Sequence, residues 1–253
     1  LYRLVGSEMC IRDRFKNFHV TPMCAPTRGE LLTGLDNAVN QLSNVSSGRA
    51  LLKSGIPTMG NIFAGNGYST GIFGKWHMGS NYPYRPQDRG FEESVWFPSS
   101  HIGSVSDFWG NDYFDDTYWH NGKKQKYEGY CTDIFFSESK RFIEESMDQG
   151  KPFFAYISTN TPHGPLYPKE EDYKVLEKLF DKSEFAGEKG LKSRLVKYLA
   201  MIRNIDSNIG DLTDFLNDKG VIDDTIIIFL TDNGSTMGKS YFNAGMRLSL
   251  IHI

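Results

Sequence analysis

The chain has 253 residues, 39% of them hydrophobic and 23% charged, with a formal net charge of −3. This is the composition of an ordinary globular protein, and its charge gives no global pull toward nucleic acid or an acidic membrane, so any affinity for anions has to be local. No apolar run approaches the ~18 residues of a membrane span, no basic-then-apolar signal peptide opens the sequence, and three scattered cysteines (Cys10, Cys24, Cys131) make neither a disulfide framework nor a zinc cluster.

Residues 1–14 and 247–253 show no helical or strand period. They resemble translated sequencing-adapter read-through, with a disordered start and a final edge strand as the alternative reading, and both are set aside from fold reasoning. Residues 15–21 alternate weakly and read as a short strand or extended lead-in that Pro22 breaks. Pro26 fits the first turn of a helix with Leu31 and Leu32 on its buried face and Gly34 past its end, which puts Cys24 at or just before the helix N-terminus. Residues 56–63 open a second short helix with Thr58 as N-cap, and 67–74 form a glycine-punctuated strand running into Lys75, Trp76 and His77. Residues 81–126 are long, aromatic and aperiodic, which is the signature of a loop or insertion. Trp96, Trp109, Tyr113, Tyr118 and Trp119 within them are read first as packing residues and second as sugar-stacking ones.

A helix is expected over 132–147, and the apolar run 152–158 is expected as a buried central strand that delivers His163 to the ligand side. Residues 169–192 read as a charged, mobile connection, followed by a long helix to about Asn217. Residues 224–230 give the clearest buried strand in the chain, ending at Asp232 and Asn233. Three apolar strands that end in polar clusters and are separated by helices imply an α/β domain with a largely parallel sheet, whose ligands bind past the strand ends.

The chemistry centres on Cys24-Ala25-Pro26-Thr27-Arg28. A thiol at a helix mouth with a cation one turn away is placed to react, against the usual fate of a lone cysteine as a buried structural group. The Cys-x5-Arg pattern of tyrosine phosphatases fails, because Glu30 stands at that place. Cys24–Arg28, closed by Leu32-Thr33-Gly34, resembles the first signature of the sulfatases. Gly67-Tyr68-Ser69-Thr70-Gly71 with Gly74-Lys75-Trp76-His77-Met78-Gly79 resembles the second. Thr161-Pro162-His163-Gly164-Pro165 and Thr231-Asp232-Asn233-Gly234 are similar to later landmarks of that family, in the family's order, and the resemblance covers residues 15–246.

That resemblance implies an alkaline-phosphatase-like three-layer α/β fold, with a largely parallel central sheet flanked by helices and incomplete in this chain. It implies hydrolysis of organic sulfate esters, with sulfated carbohydrate favoured. It also implies that Cys24 is oxidised to formylglycine by a formylglycine-generating or anaerobic sulfatase-maturing enzyme. One oxygen of the aldehyde hydrate would attack sulfur, and the other would expel sulfate. By the same resemblance Arg28 stabilises the diol, Lys75 binds sulfate, His77 acts on the hydrate and His163 contacts sulfate and protonates the leaving oxygen. Asp232, Asn233 and residue 24 would hold one Ca²⁺ per site. Without it, Asp232 and Asn233 read as a polar turn, Arg28 as a surface cation and His163 as a loop histidine. His19, His101, His120, Cys131 and the pair Asp115 and Asp116 receive only structural readings.

Two family features have no counterpart: an upstream Asp-Asp pair that binds metal, and a sulfate-binding lysine after a run like Asn243-Ala244-Gly245-Met246-Arg247. Weak or absent activity is therefore expected of this chain, and a periplasmic or secreted setting of its intact parent. Two rival readings stand beside this one. One is a phosphonate or phosphodiester hydrolase on the same site, and the other is a non-catalytic sulfate-binding module.

Overall fold

A computed structural model describes residues 18–46, 49–182 and 189–234. The strands are β1 (Ser69–Lys75), β2 (Glu93–Phe97), β3 (Thr117–His120), β4 (Lys123–Lys126) and β5 (Phe153–Ser158). The helices are α1 (Cys24–Thr33), α2 (Asn37–Asn40), α3 (Met59–Gly65), α4 (Cys131–Asp148), α5 (Glu170–Phe180) and α6 (Lys189–Asp218). The sheet order is β4-β3-β2-β1-β5. β1 runs parallel to both β2 and β5, and β3 and β4 add an antiparallel hairpin outside β2.

β1 is buried at every position, as a strand covered on both faces must be. Its alternation sorts the core into two layers. Ile72 points into a cluster with Leu32, Leu42, Trp76, Phe91 and Trp96, on the side of α1 and α3. Phe73 points into the opposite cluster with Val95, Phe97, Ile134, Phe135, Phe142 and Ile143, under α4. α6 packs outside α4 through Met201 and Leu216, and the α5–α6 pair closes over Phe180, Leu195 and Val196. Helices thus cover both faces of the sheet.

The local signals act as expected at several points. Thr58 caps α3 in a capping box with Asn61. Gly34 ends α1 at φ 67°, its N–H donating to Glu30 O. Gly74 sits at φ 117°, and a Cβ there would lie 2.1 Å from Ser158 O, so only glycine lets β1 and β5 meet where they deliver their last residues.

Four expectations are corrected. Residues 81–126 carry β2, β3 and β4. At four or five residues each, these strands are too short to show a period. Residues 169–192 contain α5, whose Asp172 is buried against Arg203. β5 pairs with β1 alone among the described residues, and five of its six positions are half-buried, so it is not the central strand. Residues 225–230 form no strand with any described partner, and Ile226 and Ile228 are 79% and 74% exposed. An apolar run records a demand for burial, but the backbone partner that would satisfy it lies elsewhere in sequence. Of the two readings given for residues 15–21, the described part, 18–21, forms no strand, and 1–14 and 247–253 lie outside the described residues.

Candidate active site

The register aligns Lys75 with Phe97 and Gly74 with Ser158, so β1, β2 and β5 end at one edge of the sheet. The expected site residues gather there. Cys24 is the first residue of α1 and half-buried. Met23 supplies no side-chain cap to the first-turn N–H groups. Arg28 is buried, not a surface cation. Its Nη1 donates to Lys75 O at 2.9 Å and to the Tyr156 hydroxyl at 3.3 Å, and its Nε donates to Asp232 Oδ2 at 3.1 Å. The guanidinium therefore ties α1 to β1, to β5 and to the segment that carries Asp232.

His77 is buried with φ at 60°, a region a non-glycine residue occupies only when its surroundings hold it there. Its Nε2 lies 2.9 Å from Val45 O and its Nδ1 lies 3.4 Å from Cys24 Sγ. A carbonyl can only accept, so Nε2 carries the proton and the Nδ1 lone pair faces residue 24. Burial, then the Lys75 charge, brings the imidazole down to about 3, which keeps it neutral with its Nδ1 lone pair free to accept a hydrogen bond. Lys75 is buried and brought down to about 8, first by burial and then by Arg28, with Cys24 and Asp232 opposing the shift. Ser158 Oγ donates to Lys75 O and fixes the end of β1.

His163 lies in the loop after β5. Its Nδ1 donates to Gly164 O at 2.6 Å, and its own carbonyl accepts from the Tyr113 hydroxyl at 3.0 Å. Nε2 is thus the nitrogen left for a ligand. Asp232 is held below the ordinary carboxylate range; burial acts against this and is outweighed by Arg28 and Lys75. Asn233 Nδ2 donates to Thr21 O at 2.8 Å, leaving its Oδ1 as a hard donor beside Asp232. In kind this pair fits a hard divalent cation. The pair brings two side chains to it, against the roughly six to eight oxygens that calcium takes.

The reading from sequence missed His101, whose ring stacks on His163, as well as Tyr156 and Ser158. His101 follows the end of β2 by four residues, as His163 follows the end of β5 by five. Finding β2 in the sequence would have exposed that parallel. Elsewhere, Glu93, His120 and Glu138 approach closely enough to share a metal ion. They sit at the start of β2, the opposite end from Cys24. Arg141 already pairs with both carboxylates, and Asn121 donates to Glu93 at 2.7 Å. The trio is an ion-pair cluster that joins β2 and β3 to α4. Cys131 is a buried structural thiol, its pKa pushed up by burial. Tyr113, Tyr118 and Trp96 are core residues, while Trp109 is 94% exposed.

The family model for sulfatases matches residues 14–249. The chain belongs to the sulfatase family. Among curated relatives of this sulfatase chain, it is 29% identical to the ulvan-active sulfatase of Formosa agariphila, covering 87% of this chain and 43% of that protein. It is 27% identical to human N-acetylgalactosamine-6-sulfatase, covering 88% and 43%. Among solved structures, Ps i-CgsB in complex with k-i-k-neocarrahexaose superposes with a TM-score of 0.74 at 26% identity, over 89% of this chain and 52% of that one. This sulfatase chain spans about half the length of the curated relatives it matches. The fold is alkaline-phosphatase-like, and the family carries a divalent metal and a formylglycine. No described helix is long and apolar enough to cross a membrane.

Proposed function

We propose that the chain carries the nucleophile half of a sulfate ester hydrolase whose substrate is a sulfated carbohydrate. The observation that supports this most is the meeting at residue 24 of a neutral ring nitrogen, the Nδ1 of His77, with the cations Lys75 and Arg28. Cys24, once oxidised by a maturation enzyme, supplies through its hydrated aldehyde an oxygen nucleophile and an internal route for releasing sulfate. Lys75 and Arg28 offset the charge of the sulfate group. His77 accepts a hydrogen bond at Nδ1 from the group at position 24 and so orients it, its ring steered by Val45 O. His163 presents Nε2 toward the ester and, when protonated, gives that proton to the departing alcohol. Asp232, Asn233 and residue 24 would hold the metal, calcium by the hardness of the donors, which supplies polarisation of the sulfate oxygens.

With Asp232 and Asn233 as the metal-directed side chains besides residue 24 among the described residues, the 253-residue chain itself is expected to turn over slowly or not at all. The sugar assignment follows the relatives named for ulvan and N-acetylgalactosamine-6-sulfate and the carrageenan-type oligosaccharide seen with Ps i-CgsB. A parent acting on such polymers would work in the periplasm or outside the cell. Turnover of paired sulfate and phosphate esters by the longer parent protein tests the reading. Faster release from the sulfate ester is expected, and preference for phosphate or phosphonate esters contradicts it.

A further inference from the structure

The loop after β2 brings to this site a histidine that the sulfate-ester reading leaves without a role. His101 is half-buried, and its ring stacks on His163 with centroids 5.0 Å apart and planes 12° from parallel. The two rings sit on separate loops that are tied together. Ile102 N–H donates to Asn160 Oδ1 at 3.0 Å, joining the loop after β2 to the loop after β5. Each ring is also held from its own side. Ser100 Oγ lies 3.0 Å from His101 Nδ1, with Ser104 Oγ 3.3 Å beyond it. His163 is held through Nδ1 by Gly164 O. An exposed imidazole with one tether can still swing about its Cβ–Cγ bond. A parallel ring against its face removes that freedom.

We propose that His101 is a positioning residue for His163: its stacked ring fixes the direction of the free Nε2, and the pair accepts one proton at a time. This rests on the sulfate-ester reading only in giving His163 a task, since the stacking stands without it. Two imidazolium rings face to face repel, so protonating one opposes protonating the other. The charged groups around the pair are Lys75 at the end of β1, Arg28 on α1 and Asp232. Desolvation, His163 and Lys75 all work against a proton on His101. For His163, desolvation, Lys75 and Arg28 oppose the proton, while Gly164 O and Asp232 favour it. A bound sulfate would add the negative charge that draws one proton onto the pair.

The test is a pH titration of ring-labelled histidines by nuclear magnetic resonance, with and without inorganic sulfate. It compares the 253-residue chain with H101F, which keeps a flat ring, and H101A, which removes it. The unchanged resonance of His120, on β3 and bound to Glu93 at the start of β2, reports that each variant is folded. In the unsubstituted chain both rings should titrate in two coupled steps, and in both variants His163 should titrate in one step, higher by about half a pH unit. Sulfate affinity should stay within about twofold in H101F and fall about fivefold in H101A. A His163 titration identical in all three proteins overturns the proposal, as does equal sulfate affinity in H101A and the unsubstituted chain. Absence of sulfate binding by the unsubstituted chain counts against the sulfate-site reading, while the sulfate-free titration still decides whether the rings are coupled.

Discussion

Arg28 shows how one side chain serves fold and site together. It is buried, and its three recorded acceptors come from three separate parts of the chain. Replacing it with alanine leaves Asp232 without its ion pair and Lys75 O with Ser158 Oγ as its remaining donor. R28A is expected to lower stability by roughly 3 kcal/mol in urea denaturation, the scale for breaking a buried pair by removing one partner. A loss under about 0.5 kcal/mol would place Arg28 on the surface after all. At this scale much was legible in the sequence. Cys24, Arg28, Lys75, His77, His163 and Asp232 were each singled out by motif, and the folded chain brings them to one edge. The hydrogen bonds that set the state of each were not legible. Which nitrogen of His77 faces residue 24 depends on Val45 O, and the charge of Lys75 depends on its burial between β1 and Arg28. His101 carried no local signal, because its meaning lies in a ring 62 residues away, from His101 to His163.

At the scale of elements, the cluster that joins β2 and β3 to α4 makes stability depend on pH. Burial pushes the Glu93 carboxyl up, but hydrogen bonds from His120, Asn121 and Arg141 outweigh it and hold the group at about 2. Its contribution is complete above the unfolded value of about 4.3 and is lost as pH falls toward about 2. His120 is raised, chiefly by its hydrogen bond to Glu93 with burial opposing. Its contribution is complete below about 6.5, the unfolded value, and is lost as pH rises through the higher folded one. The cluster therefore stabilises most between those limits. E93Q should cost about 2 kcal/mol near pH 6 and flatten the acid limb of a melting-temperature profile. An acid limb unchanged from that of the unsubstituted chain would exclude Glu93 as its source. The elements that escaped the sequence reading are the short ones, β2 to β4. Their stability comes from cross-strand pairing and from α4, neither of which leaves a period in the local sequence.

For the whole molecule, the α/β class and the layering were legible, because β1, α4 and α6 carry strong apolar patterns. The placement of residues 225–230 was not. Their apolar character is real, yet they lie exposed and pair with no described strand. Even so, the segment delivers Asp232 to Arg28, so the convergence on residue 24 does not depend on that ladder. The central claim is that Cys24 is the precursor of an aldehyde and not a working thiol. Mass spectrometry of the tryptic peptide that ends at Arg28, from chain co-expressed with a formylglycine-generating enzyme, tests this most directly. The account predicts conversion of Cys24 to formylglycine, and its loss when Pro26 is replaced by alanine. A Cys24 peptide that keeps an unmodified thiol throughout would contradict it.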